Sequence, residues 1–163
     1  MRFTTVRTAL IFAMTLMLGV LTLLVAPVSP AEAASTATME NQLFSLTNQT
    51  RKSHGVPAVS ANACLKNYAR SHAAAMARND PPRNKNPRIW HQNLNPILSG
   101  CRMTMVGENV AAGYSTAAQA HNGWWNSPGH RKNMMNRQFN RLGAGVALSR
   151  NGRYYYVTVY GRQ

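Results

Sequence analysis

The side chains best placed for chemistry fall between Gly107 and Ala147. Gly107-Glu108-Asn109 is followed by Trp124-Trp125-Asn126-Ser127-Pro128-Gly129-His130-Arg131, and then by Leu142-Gly143-Ala144-Gly145-Val146-Ala147. Glu108 is one of only 4 acidic residues in 163. An acid kept in so basic a chain points to a specific partner rather than to solubility, and the same segment supplies His130. Ser127 and His130 raise a hydrolase reading. Against it, Ser127 lacks the Gly-x-Ser-x-Gly elbow and stands before a proline at a helix end. A triad would also need Glu108 in line and an oxyanion hole.

These blocks, in this order and spacing, resemble the CAP superfamily (cysteine-rich secretory proteins, antigen 5 and plant pathogenesis-related proteins) in its short bacterial SCP-like form. The resemblance runs from near Met39 to the C-terminus. Gly-Glu-Asn alone is a weak signal; followed by Trp-Trp-Asn-Ser-Pro-Gly-His-Arg and the Gly-x-Gly-Val-Ala strand it is specific. The resemblance implies a three-layer α-β-α sandwich and a cleft that, in the eukaryotic pattern, holds two histidines and two glutamates. By position, the first histidine falls on His91, in Trp90-His91-Gln92-Asn93-Leu94, and the first glutamate on Glu108. The second histidine falls on His130, ahead of the Leu142-Gly143 strand. The second glutamate position lands on Ser127, so that carboxylate is missing, and a mechanism needing two acids loses support.

Three readings of this set stay open. His91, Glu108 and His130 could form a site for zinc or another divalent cation with an open fourth position; ligand type alone does not choose the metal. Alternatively, Glu108 stays ionised and accepts a hydrogen bond from one histidine, which then holds its proton more tightly. In the third reading Glu108 pins a loop through backbone amides and His130 caps a turn. No residue is assigned a catalytic role, and the reading leans away from an enzyme.

Composition bounds the setting. Arg2 and Arg7 precede an uncharged apolar run, Thr8 to Ala26, and Ala31-Glu32-Ala33 is a small-x-small cleavage pattern. This reads as a secretory signal peptide over residues 1–34; the run is also long enough for an uncleaved anchor. A short lead-in at 35–38 and one domain at 39–163 follow. Without Arg2, Arg7 and Glu32, 16 of the 18 basic and 3 of the 4 acidic residues remain. So basic a surface is drawn to polyanions such as cell-wall polymers, acidic polysaccharides, anionic lipid or extracellular DNA, unless it is simply solvated. Cys64 and Cys101 fit an exported chain with one disulfide, worth roughly 3–4 kcal/mol in the chain-entropy model.

The secondary structure that would carry these groups is α+β in order. Met39 to His54 reads as a helix stopped at Gly55. Ser60 looks like an N-cap for a second helix, Ala61 to Asn79, with Leu65, Tyr68, Ala69, His72, Ala73 and Met76 on one stripe. Asp80 to Asn95 is a loop. Ile97 to Met105 reads as a short strand or turn leading into Gly107-Glu108-Asn109. Thr116 to Trp125 is helical, His130 to Asn136 a short helix or turn, and Arg141 to Leu148 a strand. Asn151-Gly152 turns the chain into a last strand, Tyr154 to Tyr160, with Tyr155 facing opposite to its neighbours. His72 is expected in the core, His54 at a helix end and His121 in the core or at the cleft rim. One of Trp124 and Trp125 is expected in the core.

The functional expectation is a secreted, monomeric, non-enzymatic binding module at the cell envelope or in the extracellular space. Its cleft would take a divalent metal or a small, hydrophobic ligand, and its surface anionic wall polymers or lipid. Sequence-specific nucleic-acid binding is not expected. The alternative is a metal-dependent hydrolase of cell-wall or protein substrates.

Overall fold

A computed structural model describes residues 30–163, with side chains from Ser35 onward. The charged and apolar parts of the expected signal peptide, Arg2 to Ala26, lie outside the described residues. The elements are α1 (Pro30–Ser53), β1 (Ser60–Ala61), α2 (Ala63–Arg78), α3 (Asn95–Gly100), β2 (Met105–Ala112), α4 (Ala117–Asn126), α5 (Pro128–Met135), β3 (Arg141–Leu148) and β4 (Tyr154–Arg162). They form a three-layer α+β sandwich around a four-stranded sheet of order β1-β3-β4-β2. β1 runs parallel to β3, and the other pairs are antiparallel.

The alternation of β4 builds both layers. Tyr156 and Tyr160 face a core closed by Leu43 of α1, Trp124 of α4 and Met134 of α5. Tyr155, Val157 and Val159 face Leu65, Ala69, Ala73 and Met76 of α2 with Ile97 of α3. The backbone of α2 lies directly on β3. A Cβ on Gly143 would stand 2.1 Å from Lys66 N, and one on Gly145 2.3 Å from Ala69 C. The Gly-x-Gly of the strand is therefore a packing requirement.

Three boundaries differ from expectation. Helix α1 starts at Pro30, so the Ser35–Ala37 lead-in is helical; proline in the first turn and four alanines favour this. Ser60 caps nothing. Asn48 brackets Val59 through the Val59 N–H (2.8 Å) and C=O (2.9 Å), which leaves Ser60 and Ala61 to pair with β3. Asn62 is the N-cap instead, its Oδ1 accepting from Leu65 N–H at 3.0 Å. Asn95–Gly100 is a helix, where the loop was expected to run to Asn95 and a short strand or turn to begin at Ile97; proline stands in its first turn and Ile97 is buried. The Cys64–Cys101 disulfide, 37 residues apart in sequence, joins the start of α2 to the end of α3.

Two buried charges clamp the layers. Glu40 of α1 accepts from Arg70 Nε (2.8 Å) and Nη2 (2.6 Å) and lies 3.5 Å from Lys66 Nζ, tying α1 to α2 around the β3 edge. Arg51, fully buried, donates to the carbonyls of Pro57, Met134, Asn136 and Phe139. Arg51 is thus a strut between the end of α1 and the chain around α5.

Candidate functional site

Strand β2 forms one edge of the sheet, and its pleat sends Glu108 and Asn109 to opposite faces. Glu108 shares a face with Val110, on the α2 side, and Asn109 shares one with Ala111, on the α5 side. On its own side, buried Glu108 collects the end of the 80–94 loop. His91 Nδ1 lies 2.8 Å from Oε1, Gln92 N–H donates to the same oxygen at 3.2 Å, and Gln92 Nε2 donates to Oε2. The carboxylate thus pins the loop through a backbone amide and orients one imidazole, two roles that the sequence left as alternatives. With Nδ1 engaged, Nε2 is the His91 nitrogen left for a ligand; its side chain is 60% exposed against 1% for Glu108.

On the other side, Asn109 takes hold of α5. Asn109 Nδ2 donates to His130 O at 3.1 Å, and Asn133 Nδ2 donates to Asn109 Oδ1 (2.9 Å) and Glu108 O (3.0 Å). Gly107 makes room for this approach, since a Cβ there would stand 2.9 Å from the Phe139 ring and 3.1 Å from Asn133 Oδ1. The Gly-Glu-Asn triplet therefore divides its work: close packing, loop clamp, helix clamp. Asn133 carries no sequence signal beyond its place after His130, and sequence reasoning missed it.

His130 is half-buried, and its Nδ1 is buried with no hydrogen-bond partner. Burial holds its pKa below the ordinary value, and the charge of nearby His91 acts in the same direction. The structure joins His91 to Glu108 and brings His130 within electrostatic reach of His91. Among the described residues, no group of three or more His, Cys, Asp or Glu side chains is assembled to hold a metal.

The remaining candidates are placed as follows. His72 is buried on α2, with Nε2 2.7 Å from Trp90 O. His121 is buried beside α1, Nε2 lying 3.3 Å from Thr50 Oγ1, and burial lowers its pKa. His54 lies at the end of α1, Nδ1 2.8 Å from Thr50 O. Trp124 is the core tryptophan, its Nε1 donating to Val110 O at 3.0 Å. Trp125 is half-buried, tilted against His54 and under the Arg131 guanidinium. Ser127 lines a shallow depression of about 700 Å³ with Tyr114, Asn122 and Asn126, a lining that includes neither His130 nor Glu108.

A model of the cysteine-rich secretory protein family, CAP, matches residues 44–160. YkwD of Bacillus subtilis, an uncharacterized protein, is 28% identical over 116 residues, covering 71% of this chain and 45% of its own length. An extracellular SCP-domain protein from Bacillus anthracis is 29% identical with a TM-score of 0.68, over 85% of this chain and 45% of that one. This chain spans less than half the length of either. NaASP2, in a structure with Zn2+, shares the fold at 16% identity and a TM-score of 0.59, over 78% of this chain and 81% of that one.

Proposed function

This chain belongs to the cysteine-rich secretory protein (CAP) family, and from that premise we propose that it is a secreted, non-enzymatic binding module of the cell envelope. The ligand site is the edge of β2, where His91 and His130 receive a divalent cation or a small ligand and Glu108 stands behind His91. The observation that carries this reading is the Glu108–His91 hydrogen bond of 2.8 Å. A carboxylate on one imidazole nitrogen fixes the ring and raises the basicity of the other, the arrangement found behind metal-ligating histidines.

The donor set decides what kind of metal site fits. Both Glu108 oxygens are already hydrogen-bonded, to His91 and Gln92, so the carboxylate orients rather than ligates. His91 offers Nε2, and His130 offers a buried nitrogen without a partner. A pKa below the ordinary value keeps His130 neutral, the ligating form, at neutral pH. Two imidazoles suit an exchangeable borderline cation such as zinc whose other positions are filled by water or a ligand, not a closed structural site. Bound there, the ion would supply Lewis acidity to whatever completes its shell.

Secretion is supported by the Arg2–Ala33 pattern and the Cys64–Cys101 disulfide. It is supported as well by the extracellular SCP-domain relative. No helix among the described residues is long and apolar enough to cross a membrane. Binding is favoured over hydrolysis because Ser127 stands where a second carboxylate would be needed.

Calorimetry with zinc at neutral pH tests the site. One binding event is expected, weakened in acid and lost in His91→Ala/His130→Ala. Undiminished binding in that double variant would remove the metal from this site.

A further inference from the structure

We propose that the exposed strip from Arg83 to Asn93, continued by Arg150 beside the β3–β4 turn, is a docking surface for an anionic polysaccharide. The first observation is where the carboxylates are. From Ser35 on, the acidic side chains are Glu40, Asp80 and Glu108, and they are 4%, 1% and 1% exposed. Each is paired inside the fold. No acidic side chain among the described residues is left at the surface to neutralise Arg83, Lys85, Arg88 or Arg150, all of which are exposed.

The second observation is that the strip is braced. Asp80 holds Arg153 Nη1 at 3.0 Å and Ser149 Oγ at 2.7 Å. Asn151 Nδ2 donates back to the carbonyls of Asp80 (3.1 Å) and Pro81 (3.0 Å). Arg83 spans to the turn, donating to Asn151 O and Gly152 O. At the far end, His72 holds Trp90 O, and Glu108 holds His91 and Gln92. A cationic loop fixed at both ends loses little freedom when it binds.

The third observation selects the partner. Ile89 and Trp90 are 50% and 39% exposed, two of the three large apolar side chains left exposed among the described residues. The cations alternate with the exposed amides of Asn84 and Asn86, and Asn93 follows His91. Cations meet carboxylates, amides meet hydroxyls, and an indole face covers a sugar ring. A polyuronide presents all three in each repeat. A bilayer would reward Ile89 and Trp90 but not the amides around them, and a phosphodiester backbone alone would leave Trp90 without a role. A single strand stacks its bases on such an indole, which makes single-stranded DNA the competitor in the test.

The test titrates oligogalacturonate into the full-length chain, with neutral dextran and single-stranded DNA as comparison ligands. Lys85→Glu/Arg88→Glu is expected to weaken oligogalacturonate binding by about tenfold or more. Lys52→Glu/Arg162→Glu, the same charge change away from the strip, is expected to cost less than about threefold. Trp90→Leu, which keeps bulk without an aromatic face, is expected to weaken binding by about fivefold without altering its salt dependence. Circular dichroism checks each fold. Equal losses in the two charge-reversal pairs would overturn the proposal. So would full affinity in Trp90→Leu, or single-stranded DNA binding as tightly as oligogalacturonate.

Discussion

Asn133 of α5 donates to Asn109 of β2 at 2.9 Å and, with the same amide, to the Glu108 carbonyl at 3.0 Å. One side chain thereby fastens the helix that carries His130 to the strand that carries Glu108. Asn109 returns the grip through its own amide to His130 O.

Removing this clasp should therefore be costly for stability. Asn109 is fully buried, and Asn109→Ala leaves His130 O and Asn133 short of partners. A loss of about 1–3 kcal/mol is expected in urea unfolding. The exposed Asn126→Ala, nearby on α4, should stay within about 0.5 kcal/mol of wild type. Similar values for the two would mean that solvent replaces the clasp without cost.

Glu108 allows a sharper separation of chemistry from architecture. Glu108→Gln retains an acceptor for Gln92 N–H or His91 and should stay folded, with weaker zinc binding. Glu108→Ala frees the donors of His91 and Gln92 and should lose about 1–3 kcal/mol of stability in addition. Nitrogen NMR of the His91 ring gives an independent readout. The Nδ1–H tautomer should dominate in wild type and lose its preference in Glu108→Ala. Unfolding curves that coincide for both variants and wild type would deny Glu108 its clamp.

Stability should fall as the solution is acidified, in two limbs. His121 and His130 have folded-state pKa values below 6.5 because burial disfavours their charged forms. The unfolded chain takes up protons first, so their contribution is present above about pH 6.5 and declines as the pH drops through the folded values. Asp80 supplies the second limb. Burial alone would raise its pKa, but hydrogen bonds from Tyr155 and Ser149, the Arg153 charge and Asn151 together bring it below 3.8. Its contribution is present above the usual carboxylate pKa and disappears in stronger acid. Urea midpoints across pH should show both limbs, with the more acid one absent in Asp80→Asn. A midpoint that rises on going from neutral to about pH 5 would contradict the sign for the histidines.

Much of the fold was legible because its signals are local. The alternation of Tyr154-Tyr155-Tyr156, the Asn151-Gly152 turn and the helical stripe of α2 depend on near neighbours, and each appears where periodicity puts it. Ser60 misled because Asn48 captures the Val59 backbone from 11 residues away. That contact makes the segment an edge strand, and no local propensity records it. The early start of α1 has no signal of its own, because small residues after an apolar run fit a cleavage region as well as a helix.

At the site, residue order alone sets the inventory: a scarce acid in Gly-Glu-Asn, a histidine before it and a histidine after it. How that inventory is divided depends on the fold, because a β-strand's pleat sends adjacent side chains to opposite faces. Glu108 therefore meets the loop of His91, while Asn109 meets the helix of His130. The same holds for charge. Composition makes the chain basic, but burial decides which charges act outward, since a carboxylate can leave water only with partners that satisfy it. Glu40, Asp80 and Glu108 have such partners inside the fold, and the surface is left to the cations.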